Sequence, residues 1–186
     1  MRKFAILTND LQFAAANKHE ERKEQVAKFL PKQSEFLKKM REIGTQVIHL
    51  QLIVSEDDPR SQGIPNEQKF TKGSKGAQLL DEVLDKKDIV VEKPKDSGFF
   101  NTTLDDELKK LEITDVIITG MQTQICVQTT AADAYFRGYK VLVPSDGVVS
   151  TRPEDTKKAL EWMAGYCAKI MTLDELYTFV KEELRK

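Results

Sequence analysis

Hydrophobic positions in this chain fall into short runs and helical stripes that take turns along its length. Residues 4–7, 47–54, 88–91, 116–118, 141–143 and 170–171 are brief apolar runs rich in Val, Ile and Leu. Runs of this kind predict strands buried on both faces. Between them, Val26, Phe29, Leu30, Phe36, Leu37, Met40 and Ile43 mark a helical region over 25–43, with Pro31 predicted to kink or split it. Residues 79–84 read as a helical turn, and 104–111 as a helix that Thr102 or Thr103 can cap. Cys126, Val127, Thr130, Ala131, Ala134 and Tyr135 recur at helical spacing until Gly138 stops them. Helices follow over 153–167 and 173–184, the last opened by a Thr172–Glu175 capping box. The alternation predicts an α/β protein with a three-layer α/β/α, Rossmann-like fold and a mostly parallel six-stranded sheet. At 186 residues, one domain over 1–186 is expected.

Three of these strands end on reactive side chains. Asp10 closes the first, Lys93 is the last residue before Pro94 breaks the third, and Cys126 follows the fourth where strand turns to helix. In open parallel sheets, ligands bind outside the carboxyl ends of the strands. Each residue also has a plainer reading: Asp10 as a turn or capping residue, Lys93 as a solvated lysine, Cys126 as a small core hydrophobe. Together they have a mechanism. A carboxylate can take the thiol proton and return it to a leaving amine. An ammonium group stabilises the thiolate, and a helix N-terminus lowers the thiol pKa. Backbone N–H groups in the turn before Cys126 can receive an oxyanion. The chemistry that fits is hydrolysis of a small amide through a thioester.

Composition narrows the alternatives. Lys plus Arg number 29 against 30 Asp plus Glu, a net charge of −1 that offers no nucleic-acid footprint. No apolar segment approaches membrane-spanning length, and the apolar run near the N-terminus is too short for a signal peptide. Two cysteines make neither a disulfide framework nor a zinc pattern, so a reducing cytoplasm is the default expectation. With two histidines only, a metal cage is poorly supplied, and His49 reads as a core or strand-end residue. Residues 55–76 form a long polar connection, either a lid over a site or a surface excursion.

The sequence resembles the isochorismatase-like cysteine hydrolases over nearly its whole length. The resemblance is carried by FAILTNDLQ, by the block from VEKPKDSGFF to SDGVVS, and by KKALEWMAGYCAKIMTLDEL. The middle block holds a lysine followed by a Ser-x-Phe pair (Lys93, Ser97, Phe99). It also holds Gly120, Cys126-Val127, Thr130-Ala131, Gly138-Tyr139, Asp146 and Ser150. The resemblance implies Asp10 as acid/base, Lys93 as its electrostatic partner and Cys126 as nucleophile. It further implies a cis bond between Met121 and Gln122, an oxyanion hole from the N–H groups of Gln122 and Cys126, and substrate contacts from Gln12 and Phe99. Phe13 follows Gln12 directly, where relatives often have two intervening residues. The segment HLQLIVSEDDP lacks the Asp-x-His pair and further His with which nicotinamidases of the family bind a metal, so no metal or other cofactor is expected. Siderophore-type isochorismatases lack the nucleophilic cysteine, so Cys126 favours C–N hydrolysis of a small amide, ureide or carbamoyl compound. An isochorismatase-type hydrolase, a non-hydrolytic binding or scaffold protein on the same fold, and a redox protein using Cys126 are the alternatives. Homo-oligomeric assembly is expected by the same resemblance.

Overall fold

The computed structural model describes residues 2–59 and 61–186; Met1 and Arg60 lie outside the described residues. Seven strands form one sheet: β1 (Phe4–Asn9), β2 (Gln46–Leu52), β3 (Ile89–Lys93), β4 (Asp115–Met121), β5 (Lys140–Pro144), β6 (Val148–Val149) and β7 (Lys169–Met171). The helices are α1 (Phe13–Ala16), α2 (Glu20–Glu42), α3 (Leu104–Lys110), α4 (Gln128–Phe136), α5 (Pro153–Tyr166) and α6 (Leu173–Glu183). The sheet runs β3-β2-β1-β4-β5-β7 with every pair parallel, and β6 pairs with the end of β4. Six strands were expected and lie along this path. The seventh, β6, is two residues long, too short to leave a hydrophobic run of its own.

Alternation along β1 shows why the sheet needs helices on both faces. Ala5 and Leu7 join a core with Leu104 and Leu108 of α3, Ala131 and Ala134 of α4, and Ala159 and Met163 of α5. Phe4 and Ile6 face the other way, against Phe29, Phe36, Leu37 and Met40 of α2 and Leu176 and Val180 of α6. β1 and β4, at the centre of the sheet, are buried along their whole length, which accounts for their unbroken apolar runs.

Pro31 neither ends nor splits α2, which runs through it for 23 residues. An interior proline costs a helix about 3 kcal/mol. Val26 and Phe29 before it, and Phe36, Leu37 and Met40 after it, are buried on the same core. At about 1.5–3 kcal/mol per buried large side chain, that stripe outweighs the proline. The Thr172–Glu175 capping box forms as expected, with both reciprocal hydrogen bonds present. Among the described residues no helix is long and apolar enough to cross a membrane.

Chain order places the site. From β1 the chain moves outward to β2 and β3, then returns to lay β4 on the other side of β1. The strand order reverses between β1 and β4, and a crevice opens at their carboxyl ends. Asp10 follows β1 and Cys126 lies just beyond β4.

Candidate active site

Each reactive side chain is fixed by the end of a strand. Asp10 adopts a left-handed backbone at φ 51°, uncommon for a non-glycine residue. Its N–H donates to the Leu50 carbonyl at 3.1 Å, and its own carbonyl accepts from Gln12 N–H at 2.7 Å, so the conformation is held on both sides. Lys93, only 1% exposed, ends β3. Its Nζ lies 2.9 Å from Asp10 Oδ1 and donates to the carbonyls of Lys95 at 3.1 Å and Asp96 at 3.0 Å. Two carbonyl hydrogen bonds and the ion pair with Asp10 surround the ammonium group, which is how a buried charge is tolerated.

Cys126 sits in a π-helical turn, Thr123–Val127, that joins β4 to α4. The Met121–Gln122 bond entering this turn is cis. Gly120 has φ 104°, and a Cβ on it would fall 2.3 Å from the Asn9 carbonyl oxygen. Only glycine lets β4 reach the end of β1 this closely. Asn9 is fastened in turn: Thr130 Oγ1 donates to Asn9 Oδ1 at 3.1 Å and accepts from Gly98 N–H at 3.0 Å. The loop after β3, the first helical turns after β4 and the end of β1 are thus tied around the site.

Asp10, Cys126 and Gln122 open onto a common cavity of about 520 Å³. Its walls are mostly apolar, from Ala14, Ala15, Leu52, Val54, Ile64, Phe70, Met121 and Ile125, with Lys18, Arg22, Gln68 and Asp96 as further polar lining. The long connection over 55–76 supplies Ile64, Gln68 and Phe70. Phe70 holds the wall in place by accepting at its carbonyl from Val54 N–H at 2.9 Å.

The electrostatics make Asp10 and Lys93 one unit. Burial pushes the Asp10 carboxyl above its ordinary range, against the opposing pull of Lys93 and of the Cys126 thiol. Burial pulls Lys93 down, but the charge of Asp10 and the neighbouring thiol and Asp96 outweigh it and hold the ammonium above its ordinary value. The sulfur departs from the expected lowered pKa. Cys126 is 5% exposed, and burial followed by the adjacent Asp10 carboxylate raises its pKa, with Lys93 only partly offsetting them. These neighbours favour the thiol form of Cys126, next to the Asp10 carboxyl.

Asp96 was not anticipated. Cys126 Sγ lies 3.7 Å from Asp96 Oδ1, so a second carboxylate faces the sulfur. Sequence offered only its place three residues beyond Lys93. Gln12 and Phe99, expected to contact substrate, do not line the cavity. The Gln12 side chain is wholly buried: Nε2 donates to the carbonyls of Leu52 at 3.0 Å and Ala77 at 2.8 Å, and Oε1 accepts from Leu52 N–H at 2.8 Å. Phe99 packs in the core behind the sheet, stacked on Tyr139 with Arg137 over its ring. His49 is a core residue, bonded to Thr8 Oγ1 at 2.7 Å and Asp88 Oδ2 at 2.9 Å.

Residues 4–175 match the family model of the isochorismatase domain. The chain belongs to the isochorismatase family. It is a hydrolase of that family, and solved relatives share its fold across almost their full length. An isochorismatase-like hydrolase from Alkaliphilus metalliredigens is 28% identical with a TM-score of 0.81, covering 95% of this chain and 98% of its own. N-carbamoylsarcosine amidase from Thermoplasma acidophilum is 27% identical with a TM-score of 0.78, covering 92% and 97%. The pyrazinamidase of Pyrococcus horikoshii, solved in complex with zinc, is 27% identical with a TM-score of 0.78, covering 91% and 99%. Among the described residues of the present chain no group of three or more His, Cys, Asp or Glu side chains is arranged to hold a metal ion. At the end of β2 the cavity wall is Leu52 and Val54, which carry no donor atoms, and His49 is engaged in the core.

Proposed function

We propose that this protein is a metal-independent cysteine hydrolase that cleaves a C–N bond in a small amide, ureide or carbamoyl compound. The observation that carries the reading is the buried Asp10–Lys93 ion pair at 2.9 Å beside the Cys126 thiol, at the wall of a largely apolar cavity. In the reaction, Asp10 accepts the thiol proton as Sγ bonds to the substrate carbonyl carbon. The oxyanion faces the N–H groups of Gln122 and Cys126. Protonated Asp10 then gives its proton to the leaving nitrogen, the C–N bond breaks and a thioester remains. Water adds to the thioester with Asp10 as base, the C–S bond breaks, and the product acid and the thiol are released. Lys93 keeps Asp10 ionised at the start of each cycle.

Because burial raises the thiol pKa, the sulfur loses its proton to Asp10 only as it attacks. The test is ammonia release from a panel of small amides, ureides and carbamoyl compounds by wild type and Cys126→Ala. Release that disappears in the variant is the expected result. No release by wild type across the panel would leave a binding protein on a hydrolase fold. We also read the protein as a homo-oligomer. Tyr135, Phe136, Trp162 and Tyr166 form an exposed, mutually contacting aromatic patch on α4 and α5, a surface suited to a second copy of the chain.

A further inference from the structure

Among the described residues Arg22 differs from four other arginines in its surroundings. Arg2, Arg41, Arg137 and Arg152 each face a carboxylate. Arg22, on the opening turns of α2, has no carboxylate partner among the described residues. Its guanidinium is half-buried, and it donates only to neutral oxygens: Nε to Thr151 Oγ1 at 2.9 Å and Nη1 to the Ala15 carbonyl at 3.3 Å. Of the acids beside it in sequence, Glu20 is paired with Lys23 and Glu21 lies against His19. Burial alone pulls its pKa below the ordinary value, with no carboxylate to restore it. A partly desolvated cation left with neutral partners is costly, and this one lines the cavity that holds Cys126.

A second, independent observation points the same way. The Gln122 carboxamide is buried, and its Oε1 accepts from Thr151 N–H at 3.1 Å, with the Thr151 hydroxyl at 3.4 Å. These contacts fix the orientation of the amide and leave Nε2, a buried donor, with no partner. Thr151 therefore links Arg22 to Gln122, and each end of the link offers N–H groups without an anionic acceptor. Lys18 adds a second cation to the same cavity. Asp96 also lines it but lies beyond ion-pair distance of either cation.

We propose that Arg22, assisted by Lys18 and the Gln122 side-chain amide, binds a carboxylate of the substrate, so that the substrate is a small acid bearing a carbamoyl or carboxamide group. The apolar lining suits a short hydrocarbon segment between the two ends, and Asp96 can accept an N–H of the substrate near the sulfur. A phosphate ester is a poorer match, since its double negative charge would share the cavity with Asp10 and Asp96. This assignment rests on the amide-hydrolase reading of Cys126.

Paired substrates of equal length separate the two ideas: succinamic acid against butyramide, and N-carbamoylglycine against N-ethylurea. Wild type is expected to favour each acid over its neutral twin by about tenfold to a hundredfold in kcat/KM, the worth of one charge-assisted contact. Arg22→Gln should collapse that ratio through KM for the acid, with Arg22→Lys keeping part of it. The exposed Lys18→Gln should reduce it more weakly and carries little folding risk. Equal turnover of acids and neutral twins, or a ratio unchanged in Arg22→Gln, overturns the carboxylate subsite while leaving the hydrolase standing. If no amide is turned over, the hydrolase reading fails and calorimetry on Cys126→Ala protein decides the subsite. Acid binding that weakens about tenfold on adding Arg22→Gln supports it, and no binding of either acid overturns it.

Discussion

Replacing Lys93 by methionine removes the charge while nearly keeping the volume, and it tests the Asp10–Lys93 unit without knowledge of any substrate. Nζ and Oδ1 are 2.9 Å apart, both side chains being almost fully buried. With charge centres near 4 Å and an effective dielectric of about 20, their attraction is about 4 kcal/mol. That equals roughly a thousandfold change in the ionisation of Asp10. In Lys93→Met the carboxyl, already raised by burial, rises further and favours its neutral form in the fold. An acid whose folded pKa is raised keeps its stability contribution at low pH and loses it as pH climbs through the folded value. The cost of Lys93→Met is therefore small below the ordinary Asp value of 3.8 and grows toward neutrality. Near pH 8 it should reach about 3–5 kcal/mol. Asp10→Asn strands the ammonium instead and should cost a similar amount, while the double variant should cost far less than the sum. Urea unfolding of the four proteins at several pH values reads the coupling directly, with about 3–4 kcal/mol expected at pH 8. Single costs that add to within about 0.5 kcal/mol would refute the pair as an energetic unit.

Asp88 offers a test away from the cavity. It accepts from Arg41 Nε at 3.0 Å, Arg41 Nη2 at 2.5 Å and Asp85 N–H at 3.0 Å, with His49 Nε2 at 2.9 Å. Burial pushes its pKa up, but His49 and Arg41 together outweigh burial and hold it below 3.8. Its contribution is therefore present above that value and lost as pH falls through the lower folded one. Asp88→Asn should cost about 2–4 kcal/mol near pH 7, and the difference from wild type in urea midpoint should narrow in acid. For the aromatic patch, Phe136→Glu is expected to lower the sedimentation coefficient toward that of a single chain; an unchanged value would place the interface elsewhere.

Much of this molecule could be read before its structure, and the misses have physical causes. Strands buried on both faces declare themselves as apolar runs, so β1, β2, β4 and β5 were plain, and with them the strand ends that carry Asp10 and Cys126. Capping at Thr172 is local chemistry and was legible for the same reason. Pro31 misled because a local penalty was weighed without the buried stripe on either side of it. Gln12 misled because nothing in a sequence tells whether a polar side chain will face a ligand or be claimed by backbone groups. The thiol pKa misled because helix position was visible while burial and the second carboxylate were not. Asp96 and Arg22 belong to no periodic pattern, and only folding brings them into one cavity.

The Gln12 side chain behaves as a short piece of main chain. At the last residue of β2 it occupies both backbone groups of Leu52, while its own backbone bridges to Leu79, so the end of β2 and the segment returning to the sheet are sewn to one residue beside Asp10. The cavity wall between those stitches is then a replaceable panel. Doubling the length of a flexible loop between fixed ends costs only about 0.6 kcal/mol. The shape of the space beside Asp10 and Cys126 is thus set in part by Ile64, Gln68 and Phe70, on a segment whose change of length carries little loop-entropy cost.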